Sequence, residues 1–519
     1  MKSFIALLQN YWNHRISKPV VARIIFIGLG ISTTLWFLIR VIPKPQRAAY
    51  PCMQASAPIM SGFVIYLLAL TGSLAAFRKA KLNFAKASYF YAGVFLLVAI
   101  GGSIAFFVQN PVEVFAANAP EWIIKANVPI GTARGINAGR VVWVHDPKVA
   151  KWDGTTGFWW DDAYTSQTET DKMMMQTLTS LTGEANLTNA WDKLFVSFNK
   201  AKKSKKGGYR ANQKIAIKIN TNNNSAQANS NEINASPQVT LAMLRTLMND
   251  AHIPQKNITV FDASRFITDN IYDKCHKEFP DVVFVDNVGG NGRVKSTYVG
   301  NAIPYSADNG KLATGLATCA VEADYLINIA LLKGHVGQGV TLCAKNYYGV
   351  TSIYNDWRKN AHDNFNQDRQ GNAKYMTFVD YMGHKDLGEK TMLFLLDGLY
   401  GAKLVNGIPT PKWQMAPFNN EWPCSLFASQ DGVAIDAVGL DFLRSEWPDM
   451  VDIAFSDQYL IEAAQANNPP SKTVYDPEKD GTRIASLGVM EHWNNTKEKK
   501  YSKNLGKQFG IELIQKTIE

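Results

Sequence analysis

The chain has 519 residues and a formal net charge of +10, from 54 Lys and Arg against 44 Asp and Glu. Residues 1–110 hold eleven of the basic residues and no acidic one, so the rest of the chain is nearly neutral. Because nucleic-acid binding needs many Lys and Arg contacts with phosphates, this distribution argues against a nucleic-acid partner.

Three apolar segments at the N-terminus have the length of a membrane-spanning helix, which is about 20 residues. They cover about 24–40, 57–77 and 89–108, and the loop at 78–88 carries four Lys and Arg. Basic loops stay in the cytoplasm. We therefore expect a transmembrane region of three helices over 1–110, with a cytoplasmic N-terminus in a bacterial inner membrane. A linker over 111–140 and a periplasmic domain over 141–519 would follow, so the membrane and an envelope protein complex are the expected partners.

From residue 141 onward, short apolar runs alternate with helical patterns. The runs predict strands at 141–146, 214–220, 258–264, 282–287, 325–332, 394–401 and 425–431. The helical patterns lie at 171–181, 236–250, 268–279 and 431–446. This alternation predicts an α/β domain whose mainly parallel sheet is sandwiched by helices.

Polar side chains follow several of these strands. Ligands of open α/β sheets bind outside the carboxyl ends of the strands, so these residues are the candidate site. Lys218, Lys333 and His335 are the candidate catalytic residues, since His and buried Lys side chains can act as bases. The candidate ligand-binding residues are Asn220, Asp262, Lys345, Asn346, Asp397 and Asp436.

The stretch LLKGHVGQGVTLCAKNYYG, residues 331–349, combines glycines with two lysines and a histidine. It contains no nucleotide-binding glycine motif. We expect a helix to start near Gly339, with converging backbone N–H groups that favour a small anionic ligand. In the alternative interpretation, Lys333 and Lys345 form ion pairs with Asp262, Asp397 or Asp436 in a structural network.

A divalent metal is a further alternative. Asp262, Asp397, Asp431, Asp436 and His335 could supply oxygen and nitrogen ligands, or the carboxylates could instead cap helices and loops. The spacing of the five cysteines contains no iron–sulfur or covalent haem motif. A disulfide between Cys319 and Cys343 and buried free thiols are both compatible with the sequence.

Two further motifs contain residues with functional chemistry. FWWDDAYTS, residues 158–166, places two tryptophans beside two aspartates. Such a pattern occurs at sugar-binding sites and also in buried aromatic packing. His492, in MEHWNN, is expected to be a packed residue of the C-terminal region.

The sequence resembles the domain-of-unknown-function family 362. The resemblance rests on KIAIKIN, on SPQVTLAMLRTLMNDAHIPQKNITVFDAS, on LINIALLKGHVGQGVTLCAKNYYG, on LLDGLYG and on DGVAIDAVGLDFL, which together cover about 141–446. RAAYPC and SLGVMEHWNN are similar to segments of its membrane-anchored members. The resemblance implies that Lys218, Asn220, Lys333, His335, Lys345 and Asn346 occupy motif positions. Some members are associated with iron–sulfur segments, whose cluster ligands this chain lacks.

Two classes of function follow. The first is a membrane-anchored enzyme in which Lys333, His335 or Lys218 performs acid/base work on an anionic small molecule or envelope component. The second is a non-catalytic ligand-binding or redox-associated subunit of an envelope complex.

Overall fold

The structure is a computed structural model of the chain. It describes residues 125–202, 207–223, 226–227, 230–306, 313–335, 339–352, 374–409, 411–450 and 456–518, together with residues 31, 32, 34, 35, 39 and 79. The chain divides into two compact units, Met1–Asn118 and Ala119–Glu519.

The expected membrane spans lie outside the described residues, except for five helical positions of the first span. Within the described residues, no helix combines the length and the apolar character that a membrane crossing requires. The three spans therefore stay a prediction.

Fourteen strands are present in the described part of the second unit. In chain order they are β1 (Ile130–Gly131), β2 (Arg140–His145), β3 (Ile215–Ile219), β4 (Ile258–Phe261), β5 (Val283–Asp286), β6 (Val294–Lys295), β7 (Tyr298–Ile303), β8 (Thr314–Ala317), β9 (Tyr325–His335), β10 (Gly339–Thr341), β11 (Thr391–Ala402), β12 (Ser425–Ser429), β13 (Val489–Met490) and β14 (Glu512–Thr517). The segment that we expect to be a linker, 111–140, contributes β1, which pairs with β13.

The same described region contains nine α-helices. They are α1 (Gln167–Thr182), α2 (Leu187–Ala201), α3 (Pro237–Arg245), α4 (Asp269–Glu278), α5 (Thr318–Val321), α6 (Cys343–Asn346), α7 (Thr377–Gly383), α8 (Gly432–Glu446) and α9 (Asp457–Ala464). A π-helical turn, Thr246–Asp250, follows α3 directly. Pro237 opens α3 because proline lacks the backbone N–H that a first-turn position leaves unbonded anyway.

A ten-stranded sheet forms the centre of the second unit. Its order is β14-β2-β12-β11-β9-β3-β4-β5-β6, and β10 pairs with β9 outside this path. All neighbouring pairs are parallel except β2/β12, β12/β11 and β10/β9. The predicted mixed α/β fold with a mainly parallel sheet is confirmed.

Helices cover both faces of this sheet. On one face, the sheet packs against apolar side chains of α6, α7, α8 and α9. On the other face, it packs against those of α1, α2, α3 and α4. Successive strand residues point to opposite faces, so a residue's position in its strand decides which helical layer it meets.

The predicted elements from residue 141 onward agree with the structure, with small shifts at their ends. Two differences affect the site. The strand predicted at 325–332 continues to His335, so Lys333 lies inside β9. The strand β12 is antiparallel to both neighbours, so its carboxyl end and Asp431 lie at the sheet edge opposite the ends of β3 and β9.

The C-terminal region is joined to α8 through His492, which is buried as expected. Its Nδ1 lies 2.6 Å from Asp441 Oδ1, and its Nε2 lies 3.0 Å from Asp457 Oδ1. Burial alone would lower the pKa of His492, but the two carboxylates outweigh it and raise the pKa to about 10. The ring is therefore an imidazolium held between two carboxylates.

We expect His492→Gln to destabilise the fold in a pH-dependent way. Since folding raises the pKa of His492 from 6.5 to about 10, its stabilisation is complete below pH 6.5 and is lost as the pH rises towards 10. Urea unfolding of native and variant chains should show a stability difference that is large at pH 6 and shrinks above pH 9. A difference that does not change with pH would contradict this assignment.

Candidate functional site

The parallel strands β3 and β9 are neighbours in the sheet, with Ile219 paired to Ile329. From β3 the chain passes through α3 to β4 on one side, whereas β9 has β11 on its other side. Such a reversal of strand order is where open α/β sheets form a binding crevice at their carboxyl ends. We call the place where β3 ends at Ile219 and β9 ends at His335 the β3/β9 crevice.

Lys218 lies in β3 and is fully buried. Its Nζ donates to Asp262 Oδ2 at 2.9 Å, to Asn346 Oδ1 at 2.9 Å and to the Ile219 carbonyl at 2.6 Å. An ammonium group has three N–H donors, so all of them are used. Burial lowers the pKa of Lys218, and the charge of Asp262 opposes that shift.

Asp262 is equally well bonded. Its Oδ2 also accepts the Thr221 backbone N–H, and its Oδ1 accepts the backbone N–H and the hydroxyl of Ser264. Lys218 and Asp262 therefore form the kind of structural pair that we considered as the alternative, although with Lys218 as the lysine.

Asn346 links this pair to β9. Its Nδ2 donates to Asn328 Oδ1 at 2.8 Å, and its Oδ1 also accepts Asn220 Nδ2 at 3.2 Å. Asn220 Oδ1 is buried and has no hydrogen-bond partner among the described residues. Asn328 was not predicted as a site residue, although the signal existed: it is a polar side chain inside an apolar strand.

The backbone of Gly349 lies directly against the ion pair. A Cβ atom at this position would be 2.7 Å from Lys218 Nζ and 3.0 Å from Asp262 Oδ1. The Gly349 carbonyl also accepts the Ala263 N–H at 2.9 Å. The glycine that ends the KNYYG motif therefore permits a close approach that a side chain would prevent.

Lys333 has a different environment. It is 0% exposed, and its Nζ donates to the Val405 carbonyl at 2.7 Å. Among the described residues, no carboxylate oxygen lies within 4 Å of this Nζ, whereas Lys218 has Asp262. Burial and then the charge of Lys345 hold the pKa of Lys333 well below its usual value, despite the opposing charges of Asp262 and Glu232.

The two lysines also point to different faces of the sheet. Lys333 is an even number of positions from Ile329, which packs on the α1–α4 side. Lys218 is an even number of positions from Ala216, which packs on the opposite side. The two strands are therefore neighbours at the crevice, but Lys218 lies on the sheet face that packs against α6–α9 and Lys333 on the face that packs against α1–α4.

Asp397 and Asp436 bind other parts of the fold. Asp397 Oδ2 accepts the backbone N–H and the hydroxyl of Ser236, the residue before α3. Asp436 accepts the N–H groups of Cys343 and Ala344 at the start of α6. Burial raises the pKa of Asp397, and it raises that of Asp436 to about 6.

The expected anion cradle at Gly339 is wrong in its geometry. Gly339 starts β10, which pairs antiparallel with β9, and the following helix α6 begins only at Cys343. The backbone N–H groups that open this helix already donate to Asp436. This part of the stretch is therefore an antiparallel strand, in which Val340 pairs with Gly334 and Thr341 pairs with Lys333.

His335 and Lys345 lie at the two ends of this segment. His335 is the last residue of β9 and pairs with Gly339. Lys345 lies in α6, with its Nζ 4.6 Å from the centre of the Tyr348 ring. Both are half-buried, and Lys345 is near enough to Lys333 to affect its pKa.

Three of the candidate metal ligands, Asp397, Asp431 and Asp436, make the contacts of capping carboxylates, and Asp262 is paired with Lys218. Asp431, for example, accepts the N–H groups of Val433 and Ala434 at the start of α8. In the described part of the chain, no three His, Cys, Asp or Glu side chains form a group that could hold a metal ion. Cys319 and Cys343 are free thiols, which is the second of the two alternatives for these cysteines.

The aromatic motif at 158–166 divides into two roles. Trp159 is buried at 1% exposure and packs 5.1 Å from the ring of Tyr400. Trp160 is only half-buried and lines a cleft of 600 Å³. A second cavity, of 350 Å³, is lined by Thr391 at the start of β11. Lys333 pairs with Ala402 at the other end of that strand, so this cavity is separate from Lys333.

Residues 215–441 match the family model described as a domain of unknown function, DUF362. The match supports the DUF362 family. It includes the strands β3, β9 and β11 and every candidate site residue of the β3/β9 crevice. No curated protein and no solved structure gives a significant match.

We expect Lys218→Ala to lower the free energy of unfolding by about 3–5 kcal/mol, because it leaves the buried Asp262 carboxylate without its counter-ion. Urea unfolding at pH 7 is the measurement. The double variant Lys218→Met with Asp262→Asn should recover a large part of the loss. A single variant with native stability would contradict a structural role for Lys218.

Proposed function

We propose that the α/β unit binds a small anionic molecule in the β3/β9 crevice, with Lys333 as its counter-ion. The observation that carries the proposal is the contrast between two buried lysines in neighbouring strands. Lys218 has a carboxylate and two further acceptors, whereas Lys333 donates to one backbone carbonyl.

A buried ammonium group without a counter-charge is costly, because it loses its hydration and gains too little in return. A ligand carboxylate or phosphate would supply the missing charge and accept the remaining N–H donors of Lys333. The Asn220 Oδ1 atom also lacks a partner among the described residues, and it lies on the Lys218 side of the same crevice, where Asn220 Nδ2 donates to Asn346. It could accept a hydrogen bond from a ligand hydroxyl or amide group.

Proton uptake would accompany anion binding. Without a ligand, burial and the charge of Lys345 lower the pKa of Lys333. A bound anion would raise the pKa towards its ordinary value, so Lys333 would gain a proton at pH values between the two. The affinity for the anion should then fall as the pH rises through this range.

The lowered pKa would also allow Lys333 to act as a base if the protein is an enzyme. A neutral amine in a buried site can accept a proton from a substrate, and His335 at the end of β9 is the second candidate for proton transfer. Lys218 is less suited to this role, since its three donors are bonded. The alternative is a non-catalytic ligand-binding or redox-associated subunit of an envelope complex.

The proposal includes the location that the sequence predicts. Three spans within residues 1–110 would anchor the chain in a bacterial inner membrane, with residues 141–519 in the periplasm. It is supported by the apolar segments and by the four Lys and Arg at 78–88.

We expect Lys333→Met to retain its fold and lose a ligand that the native protein carries. Removing a desolvated amine should leave the free energy of unfolding unchanged or higher. The measurement is native mass spectrometry of the full chain, followed by analysis of the released small molecules, together with urea unfolding. The control is Lys214→Met, at a surface lysine whose side chain is 60% exposed and pairs with Glu322.

Loss of a small anion in Lys333→Met, and not in Lys214→Met, would support the proposal. Equal anion content in all three proteins would contradict it, and so would a Lys333→Met variant that unfolds easily yet keeps the anion. Absence of any anion from the native protein would also count against it.

Alkaline-phosphatase fusions test the location separately. Since phosphatase is active only after export, we expect active fusions after Gln109 and inactive fusions within 78–88. Inactive fusions after Gln109 would overturn the predicted topology and leave the anion site untouched.

A further inference from the structure

The cleft of 600 Å³ beside Trp160 is separate from Lys333. Its walls come from the loop after Phe158 and from the helices α3 and α4. The residues used below are Trp160, Asp162, Asp273, Lys274 and Lys277, and together they define the Trp160 cleft. Its volume is in the range of small-molecule sites in proteins.

The indole ring of Trp160 is fixed in place. The Phe158 ring stacks on it with the centroids 4.6 Å apart and the planes 9° from parallel. Trp160 Nε1 donates to the Ser230 carbonyl at 3.1 Å, and Gln238 Nε2 donates to the Trp160 carbonyl at 2.9 Å. A half-buried aromatic ring held from several sides is a preorganised surface for a flat ligand, because little entropy is lost when the ligand binds.

Charged side chains of both signs surround this ring. Lys274 Nζ lies 2.5 Å from Asp162 Oδ1, which also accepts Gln238 Nε2 at 3.0 Å. The Asp162 side chain is 70% exposed and that of Lys274 is 17% exposed, so the carboxylate is the more accessible member of the pair. Asp273 and Lys277 are exposed residues of α4.

The charge balance limits the chemistry of the ligand. Four carboxylates and three cationic side chains line the cleft, so its net charge is close to zero. It would therefore attract neither a phosphate-rich nor a strongly cationic ligand. A sugar fits better. Its hydroxyl groups donate to carboxylates and accept from ammonium groups, while its C–H face packs on an aromatic ring.

We propose that the Trp160 cleft binds a neutral oligosaccharide. Trp160 provides the stacking surface, and Asp162 and Lys274 bind neighbouring hydroxyl groups. Asp273 and Lys277 contact a further sugar unit along α4. This site does not depend on Lys333 or on the anion proposed for the β3/β9 crevice.

The test uses the full chain on an array of neutral and acidic oligosaccharides, followed by calorimetric titration with the neutral glycan that binds best. Loss of a stacked ring contact costs up to about 1.5 kcal/mol, so Trp160→Ala should weaken binding by up to about tenfold. The matched control is Phe509→Ala, at an aromatic residue that is 75% exposed and does not line the cleft.

Two variants on the exposed face of α4 test the proposal independently, in case Trp160→Ala does not fold. Asp273→Ala and Lys277→Ala should each weaken glycan binding several-fold, and Lys214→Ala should leave it unchanged. Circular dichroism would establish that each variant is folded. Binding of no neutral glycan, binding of acidic glycans alone, or equal losses in the cleft and control variants would overturn the proposal.

Discussion

The buried ion pair between Lys218 and Asp262 is the interaction on which the centre of this fold depends. It joins the end of β3 to the residue after β4, and Asn346 connects the pair to β9 through Asn328. Removing either side chain would leave a buried charge without its counter-ion. The packing of β3, β4, β9 and α6 against one another therefore depends on the pair. Gly349 allows the chain to pass close enough to seal the pair.

Much of this architecture could be predicted from the sequence, since apolar runs such as YLINIALL identify buried strands. The direction of β12 could not, because an apolar run has the same pattern in parallel and antiparallel strands. Asp431, which the sequence groups with Asp262 as a candidate metal ligand, therefore lies at the opposite edge of the sheet. Likewise, the sequence places Lys218 and Lys333 at strand ends, but only the register and length of β9 decide that they point to different faces.

The candidate site residues differ in their electrostatic surroundings. Asp397 and Asp436 accept hydrogen bonds at the starts of α3 and α6, so these two carboxylates fix the positions of the two helices. Lys333 is a buried amine whose described surroundings lack a carboxylate within ion-pair distance. A list of polar residues at strand ends cannot separate such roles, because they depend on which partner each side chain reaches in three dimensions.

The position of β2 in the sheet has a consequence for how the chain is made. Its two neighbours, β12 and β14, are distant in sequence: Trp143 bonds Ser425 across 282 residues, and Arg140 bonds Glu512 across 372. During synthesis, β2 therefore emerges long before either neighbour exists. Its unpaired edges must be protected from other chains until residues 425–517 have been made, and strand pairing over so long a separation is intrinsically slow.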